Sequence, residues 1–347
     1  MNPKTNEFEH GVNGKAHVLK EKLLDVSINP HIQIPSEPYP EPDGWEPLTE
    51  EEFERELKRY STDTAPGQSK ITYTVLRWLN DAEPGILLRL YSNCIENGYH
   101  PTAFKTANIA IVPKPNKPSY MVAKAYRPIA LLECASKLLE KIVTRRLNHY
   151  INVGELFPNS QFAGRTKTCV DDAALCLKHD IQTAWNQKLD VSVLFFDISG
   201  YFNNIHHKLL IDRMKRLKIP GQICQWIESY LNNRTVTMII DGVSSAEMTL
   251  KDVGVPQGSP LSPTLSSIYT APLLQYFNSN AFIMPEISPV PIDAVMYIDD
   301  GSLRVVSTSI EANIKMLTKS YQFVHNWMTQ SNLTLDAEKR DLIHFPY

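Results

Sequence analysis

Three aspartates have the type and placement to act together. Asp197 ends the run VSVLFFDI (191–198), sharing its alternation with Val193 and Phe195. Asp299 and Asp300 sit in YIDDG (297–301), between apolar stretches at 294–298 and 303–306. Charged groups at such positions cost free energy unless paired or metal-bound. If the two stretches are neighbours, three carboxylates meet at one sheet edge, and a divalent cation relieves their repulsion. Hard oxygen donors suit Mg2+, which shares its shell with water and substrate phosphates. Two such ions ~3.5–4 Å apart can activate an attacking hydroxyl and stabilise a leaving oxygen. Taken singly, Asp-Asp-Gly is also an ordinary solvated turn, and Asp197 an N-cap for a following helix. A second feature is GVPQGSPLSP (254–263). Its glycines and prolines specify a stiff, bare-backbone loop entering a helix N-terminus, which can approach a base or phosphate closely. Gln257 adds an amide donor and acceptor.

The elements that must position these groups follow from periodicity. Residues 191–198 read as a strand buried under helices. Residues 293–299 and 302–307 read as two strands around Asp299 and Asp300. Strands are also expected at 107–113, near 125–131, at 341–345, and as a hairpin over 234–240 and 246–252 across Asp241-Gly242. Helices are expected near 70–80, 84–97, 136–151, 169–186, 207–217, 221–231 and 310–329. Thr49 begins another through a capping box with Glu52, and one follows Ser262-Pro263, with Pro272 expected to kink or end it. Residues 1–34 show weak periodicity. Prolines 35, 38, 40, 42 and 47 imply a stiff linker, and a folded domain is expected from near Trp45. This interleaving gives an α+β fold, with helices packed on a small antiparallel sheet.

The 347 residues are 43% apolar and carry a net charge of −3, which argues against wholesale disorder. No apolar run reaches the ~18–20 residues of a membrane span, and no secretory signal is visible. The five cysteines (94, 134, 169, 176 and 224) form no C-x-x-C pair and read as buried, reduced thiols of an intracellular protein. Charge is segregated: nine carboxylates face Arg55 alone over residues 37–56, while nine bases face two acids over 101–147. The basic stretch, including Lys137, Lys141, Arg145 and Arg146, could bind a polyanion; a solvated helix face is the plainer alternative. His206 and His207 read as capping or packing residues.

Six stretches in order carry a family resemblance: AYRPIALLECASKLLEKIVTRRL (125–147), QFAGR (161–165), FFDISGYFNNI (195–205), GVPQGSPLSP (254–263), YIDD (297–300) and LTLDAEKRDLIHF (333–345). Over about residues 45–347 the chain resembles the reverse transcriptases of non-LTR (LINE-type) retrotransposons, most like those of fungal elements. The resemblance implies a right-hand polymerase with fingers (45–190) and palm (191–347, with helices 207–231 inserted at its fingers side) after an N-terminal extension and proline-rich linker (1–44). It implies copying of RNA into DNA from a DNA primer and dNTPs, with two Mg2+ ions and Mn2+ as a substitute. Asp197, Asp299, Asp300 and the carbonyl of Ile198 would be the metal ligands. Phe202 would close off the sugar 2′-position, and Gln257 and Gly258 would line the nucleotide and template site. Arg127 and Lys114 would meet the triphosphate, Lys339 would protonate departing pyrophosphate, and Arg165 would join the nucleic-acid contacts.

Two departures from the family pattern bear on activity. Asn203 stands where a second aspartate is common, and the match stops before a thumb, so a separate thumb or endonuclease region is expected elsewhere in the parent element. The competing readings are a truncated remnant that binds nucleic acid without turnover and a different palm-fold enzyme such as a nucleotide cyclase. A cyclase needs neither the 254–263 loop nor a primer path.

Overall fold

The computed structural model describes residues 9, 11–32, 34, 37–41, 46–165, 168–279 and 292–347. Helices α1 (Val12–Leu23), α2 (Glu50–Arg59), α3 (Tyr73–Ala82) and α4 (Ile86–Glu96) precede strands β1 (Thr106–Pro113) and β2 (Tyr126–Leu131). Next come α5 (Cys134–Val153), α6 (Val170–Asn186) and β3 (Asp190–Ile198). Then follow α7 (Tyr201–Asn204), α8 (His207–Arg216), α9 (Gly221–Leu231) and β4 (Thr235–Ile240). Short strands β5 (Val243–Ser244) and β6 (Met248–Thr249) lead to α10 (Ser262–Asn278). The chain closes with β7 (Asp293–Tyr297), β8 (Asp300–Ser307), α11 (Ile310–Gln330) and β9 (Leu335–Phe345).

These elements form two compact units. The described residues of the first fall within Met1–Ile28, Ile34–Leu147 and Phe202–Ser262, and those of the second within Asn29–Gln33, Asn148–Tyr201 and Pro263–Tyr347. The units interleave along the chain. The reason is β4, which pairs in parallel with β1 from Thr106↔Thr235 to Ala110↔Ile239. A parallel pair requires a long crossover, and here it includes the whole of 148–201.

In the first unit the sheet order is β2-β1-β4-β5, with β6 also on β4. Ala107, Ile109, Ala130, Leu132, Val236 and Met238 bury one face of it together with Ala16 of α1. Helix α1 thus contributes to the core of the first unit. Helix α1 escapes periodicity because a small alanine makes its central core contact. Residues 37–41 lie on α8 and α9: Lys215 donates to the Glu37 carbonyl at 2.9 Å, and its ammonium stands over the Tyr39 ring. Pro35, Pro42 and Trp45 lie outside the described residues.

At its α5 end the basic stretch is not an open polyanion surface, whereas Lys117, Lys124 and Arg127 are exposed. Arg145 pairs with Glu56 at 2.7 Å, and Arg146 grips both oxygens of Glu52 at 2.8 and 2.6 Å and the carbonyls of Glu46 and Pro47. Lys137 is buried and donates to the Ala65 carbonyl at 2.7 Å. Lys141 is half-buried and acts electrostatically on Glu56. Glu52 and Glu56 thus cover Arg146 and Arg145, because charge-assisted Arg–carboxylate bonds are stronger than either side's contacts with water-screened partners. Segregation along the sequence becomes neutralisation in space. The cysteine reading also needs correction: Cys94, Cys134 and Cys224 are buried, but Cys169 and Cys176 are exposed at and near the start of α6.

The second unit carries a four-stranded antiparallel sheet, β7-β8-β3-β9. From α6, Ile181 and Ala184 pack on Val191, Val193 and Val306. Helix α11 is tied to β3 through Asn313, whose amide donates to the Asp190 carbonyl and the Ser192 hydroxyl. This is the small antiparallel sheet on helices that the interleaving of strands and helices implied. Pro272 does not end α10, which continues to Asn278. Buried Leu265, Ile268, Tyr269, Leu273, Leu274 and Phe277 on both sides of it outweigh the ~3 kcal/mol of an internal proline.

Candidate active site

The second unit brings the three aspartates together through sheet register. On β3 and β8, Asp197 is directly opposite Asp300, and the Ile198 amide donates to the Asp299 carbonyl at 3.0 Å. Directly opposed residues of an antiparallel pair stand ~5 Å apart at Cα. The β7–β8 connection is a two-residue turn, since Tyr297 pairs with Asp300. Its first central residue, Ile298, has φ +57°. A β-branched side chain in the left-handed region is strained by about 1–3 kcal/mol, a feature that persists where the surroundings over-determine it. Here the Tyr297–Asp300 pair on one side and the Ile198–Asp299 bond on the other impose it.

Strand β9 supplies the counter-charge. Its register against β3 shifts between Phe196↔Arg340 and Ile198↔Leu335, so β9 carries three more residues than β3 in that interval. Such bulges re-aim side chains. Lys339 lies within this one, and its ammonium is 2.9 Å from a carboxylate oxygen of the buried Asp197. Burial, the main cause, raises the carboxyls of Asp299 and Asp300 above the ordinary range. The neighbouring Asp197 adds to this for both, and Lys339 opposes it. The hydrogen bond to Asp197 in turn raises the Lys339 ammonium.

A site of this kind is short of positive charge. Crowded anionic oxygens with one lysine as counter-ion are the donor chemistry that suits a hard divalent cation. Among the described residues no three His, Cys, Asp or Glu side chains are already gathered as a metal cage. The fit therefore lies in donor type and placement on adjacent strands.

The first unit holds the 254–263 loop. The Gly254 amide donates to the Ile205 carbonyl and the Val255 amide to the Phe202 carbonyl, both at 2.8 Å. The Ala130 amide of β2 donates to the Gln257 carbonyl at 2.7 Å. Gly258 has φ +129°, and a Cβ there would stand 2.5 Å from the Ala130 carbonyl oxygen. Only glycine fits this approach. Gln257 and Phe202 are half-buried, and Gly258 is exposed. In the β1–β2 hairpin, exposed Arg127 faces Val112, while Lys114 donates to the Lys124 carbonyl at 3.0 Å. Arg165, in the second unit, donates to the Pro158 carbonyl.

His207 does more than pack. Its Nε2–H donates to the Gly254 carbonyl at 2.7 Å, which fixes the neutral tautomer and secures the loop. Burial depresses its pKa to about 4, against a partial rise from that hydrogen bond. Below pH ~6.5 the unfolded chain takes up a proton that the folded chain refuses, so stability falls as pH falls from 6.5 to 4. Buried His100 is shifted in the same direction. Between pH 7 and 5, His207→Gln is expected to remove about 2 kcal/mol of this loss, as read by urea unfolding at both pH values. Equal pH dependence in the two proteins would show that His207 is not the group responsible.

Residues 112–345 match the family described as reverse transcriptase (RNA-dependent DNA polymerase). The chain is 27% identical over 292 residues to "RNA-directed DNA polymerase from mobile element jockey" of Drosophila melanogaster, covering 84% of this chain and 31% of that protein. It is 25% identical over 342 residues to "Retrovirus-related Pol polyprotein from type-1 retrotransposable element R1" of Bradysia coprophila, covering 98% of this chain and 32% of that one. Among solved structures, "Structure of apo telomerase from Candida Tropicalis truncated from C-terminal domain" is similar at a TM-score of 0.49 and 12% identity, over 80% of this chain and 56% of the other. The chain spans about a third of the length of the curated relatives it matches. With a family match over most of its length, the chain belongs to the reverse transcriptase (RNA-dependent DNA polymerase) family, as a domain of the non-LTR retrotransposon type.

Proposed function

We propose that this chain extends a DNA primer on an RNA template, transferring a nucleotidyl group from a dNTP to the primer 3′-hydroxyl. The register that sets Asp197 opposite Asp300, with Asp299 bonded through its carbonyl to Ile198, is the observation that carries this reading. Mg2+, or Mn2+ in its place, would be held by Asp197, Asp299, Asp300 and the Ile198 carbonyl, and supplies activation of a hydroxyl and stabilisation of a leaving oxygen.

The chain's own residues divide the remaining work. Lys339 is held protonated by Asp197, as a proton donor to departing pyrophosphate must be. Gln257 and Gly258 line the nucleotide and template site through a loop whose backbone is fixed at Phe202, Ile205 and Ala130. Arg127 and Lys114 meet the triphosphate, and Arg165 contributes to nucleic-acid binding. Lys137, Arg145 and Arg146 of α5 give little to that binding, being engaged with Ala65, Glu56 and Glu52.

Phe202 is the sugar gate in this reading. Its carbonyl accepts from the Val255 amide at 2.8 Å, which ties its backbone to the loop that carries Gln257. Phe202→Ala is expected to raise ribonucleotide incorporation by at least tenfold relative to deoxyribonucleotide in a single-nucleotide extension assay. Unchanged discrimination would remove Phe202 from this role. Purified wild-type protein that extends no primer on RNA with Mg2+ or Mn2+, while still binding the template–primer, would contradict the proposal itself.

A further inference from the structure

The 254–263 loop has a second support that comes from α5. Glu140 is fully buried, with 0% of its surface exposed, and takes part in none of the ion pairs among the described residues. Its carboxylate accepts instead from three hydroxyls: Ser136 at 2.6 Å, Tyr230 at 3.4 Å, and Ser259 of the loop. An ion in the interior costs several kcal/mol unless its lone pairs are satisfied. These donors come from three places: its own helix, α9 and the loop.

Ser259 is thereby fixed on both sides. While donating to Glu140, its hydroxyl accepts from the Leu261 amide at 3.1 Å, and its own amide donates to the Pro256 carbonyl at 3.1 Å. Gln257 and Gly258 lie between this tie and the Ala130–Gln257 bond at 2.7 Å. With one end held by β2 and the other by a buried carboxylate, the two residues have little freedom. A serine that lost Glu140 would lose the acceptor for its hydroxyl proton and keep only the Leu261 amide and the neighbouring Tyr230 as partners.

We infer that Glu140 is a positioning residue for nucleotide binding: through Ser259 it sets where Gln257 and Gly258 stand, while touching neither nucleotide nor template. This rests on the reading of the loop as the nucleotide-lining segment. What matters is that both carboxyl oxygens accept, one from Ser136 and the other from Tyr230 and Ser259. Glutamine keeps the shape but offers one acceptor and one donor group, leaving a hydroxyl misdirected.

The test uses the full chain with Glu140→Gln, Ser259→Ala and the double variant, in two arms. Hydrogen exchange does not depend on activity: exchange at the Ser259 and Leu261 amides is expected to rise at least tenfold in each single variant. Exchange in β3 and β8 should stay as in the wild type, and the double variant should be no faster than the singles. Unchanged loop exchange in both single variants, or equal acceleration throughout the chain, would overturn the inference. In primer extension, KM for the incoming dNTP is expected to rise about tenfold in each single variant, with kcat within about twofold. A fall in kcat at constant KM, or additive effects in the double variant, would overturn it as well. Failure of the wild type to extend a primer would defeat the functional reading and leave the exchange arm to decide the anchor.

Discussion

Asp299→Ala is expected to reduce Mg2+-dependent primer extension on an RNA template by roughly a thousandfold, about 4 kcal/mol of transition-state stabilisation. The fold should survive. Asp299 contributes to the sheet through its main-chain carbonyl, which accepts from Ile198, and alanine retains that group. Its side chain adds a half-buried charge that repels Asp300 and Asp197, so in the absence of metal its removal relieves repulsion. The variant should therefore melt at or above the wild-type temperature while losing activity. This pairing separates a metal ligand from a structural aspartate, whose loss would lower both. Equal extension by the two proteins would remove Asp299 from the chemistry.

Gly258→Ala is expected to lower kcat/KM for nucleotide incorporation by about a hundredfold. The added Cβ would meet the Ala130 carbonyl oxygen at 2.5 Å, at a φ of +129°. Backbone opposes backbone there, so the strain of ~2–3 kcal/mol is not absorbed by a rotamer change. Either the loop moves or the Ala130–Gln257 bond breaks, and each displaces Gln257. Gly254→Ala is a useful comparison, with φ +88° and closest approaches of 3.2 Å to Asn203. It should cost less. Steady-state kinetics with circular dichroism on the same preparations checks both, and an alanine at 258 tolerated within threefold would show the loop to be adaptable.

The parts of this molecule legible in its sequence are those governed by local rules. The continuous apolar run of 191–198 and the paired runs around Asp299 marked β3, β7 and β8 to within two residues at each end, because a strand buried on both faces is apolar throughout. Asp241-Gly242 turns β4 with φ +52° and +79° at its two positions, as its composition demands. Thr49 caps α2 by accepting from the Glu52 amide at 3.2 Å. Non-local features were hidden. That α2 would neutralise α5 cannot be read from two charge counts, since pairing depends on which faces meet. The crossover that returns residues 202–262 to the first sheet has no local signal. Strand β9 starts at Leu335, well before its apolar end, because it is an exposed edge and lacks alternation there.

The site itself divides the same way. Asp197, Asp299 and Asp300 stood out as charges among apolar neighbours. Glu140 and His207 did not, since a single glutamate or histidine on a helix gives no sign of facing a loop more than forty residues away. The Lys339–Asp197 contact likewise depends on a bulge that sequence periodicity does not mark.

Anomalous diffraction from crystals of the chain grown with Mn2+, an RNA–DNA template–primer and a non-hydrolysable dNTP analogue tests the central claim most directly. The account requires manganese peaks within coordination distance of carboxylate oxygens of Asp197 and Asp299, with the Lys339 ammonium withdrawn from Asp197. Manganese bound only elsewhere, with the lysine still seated on Asp197, would contradict it.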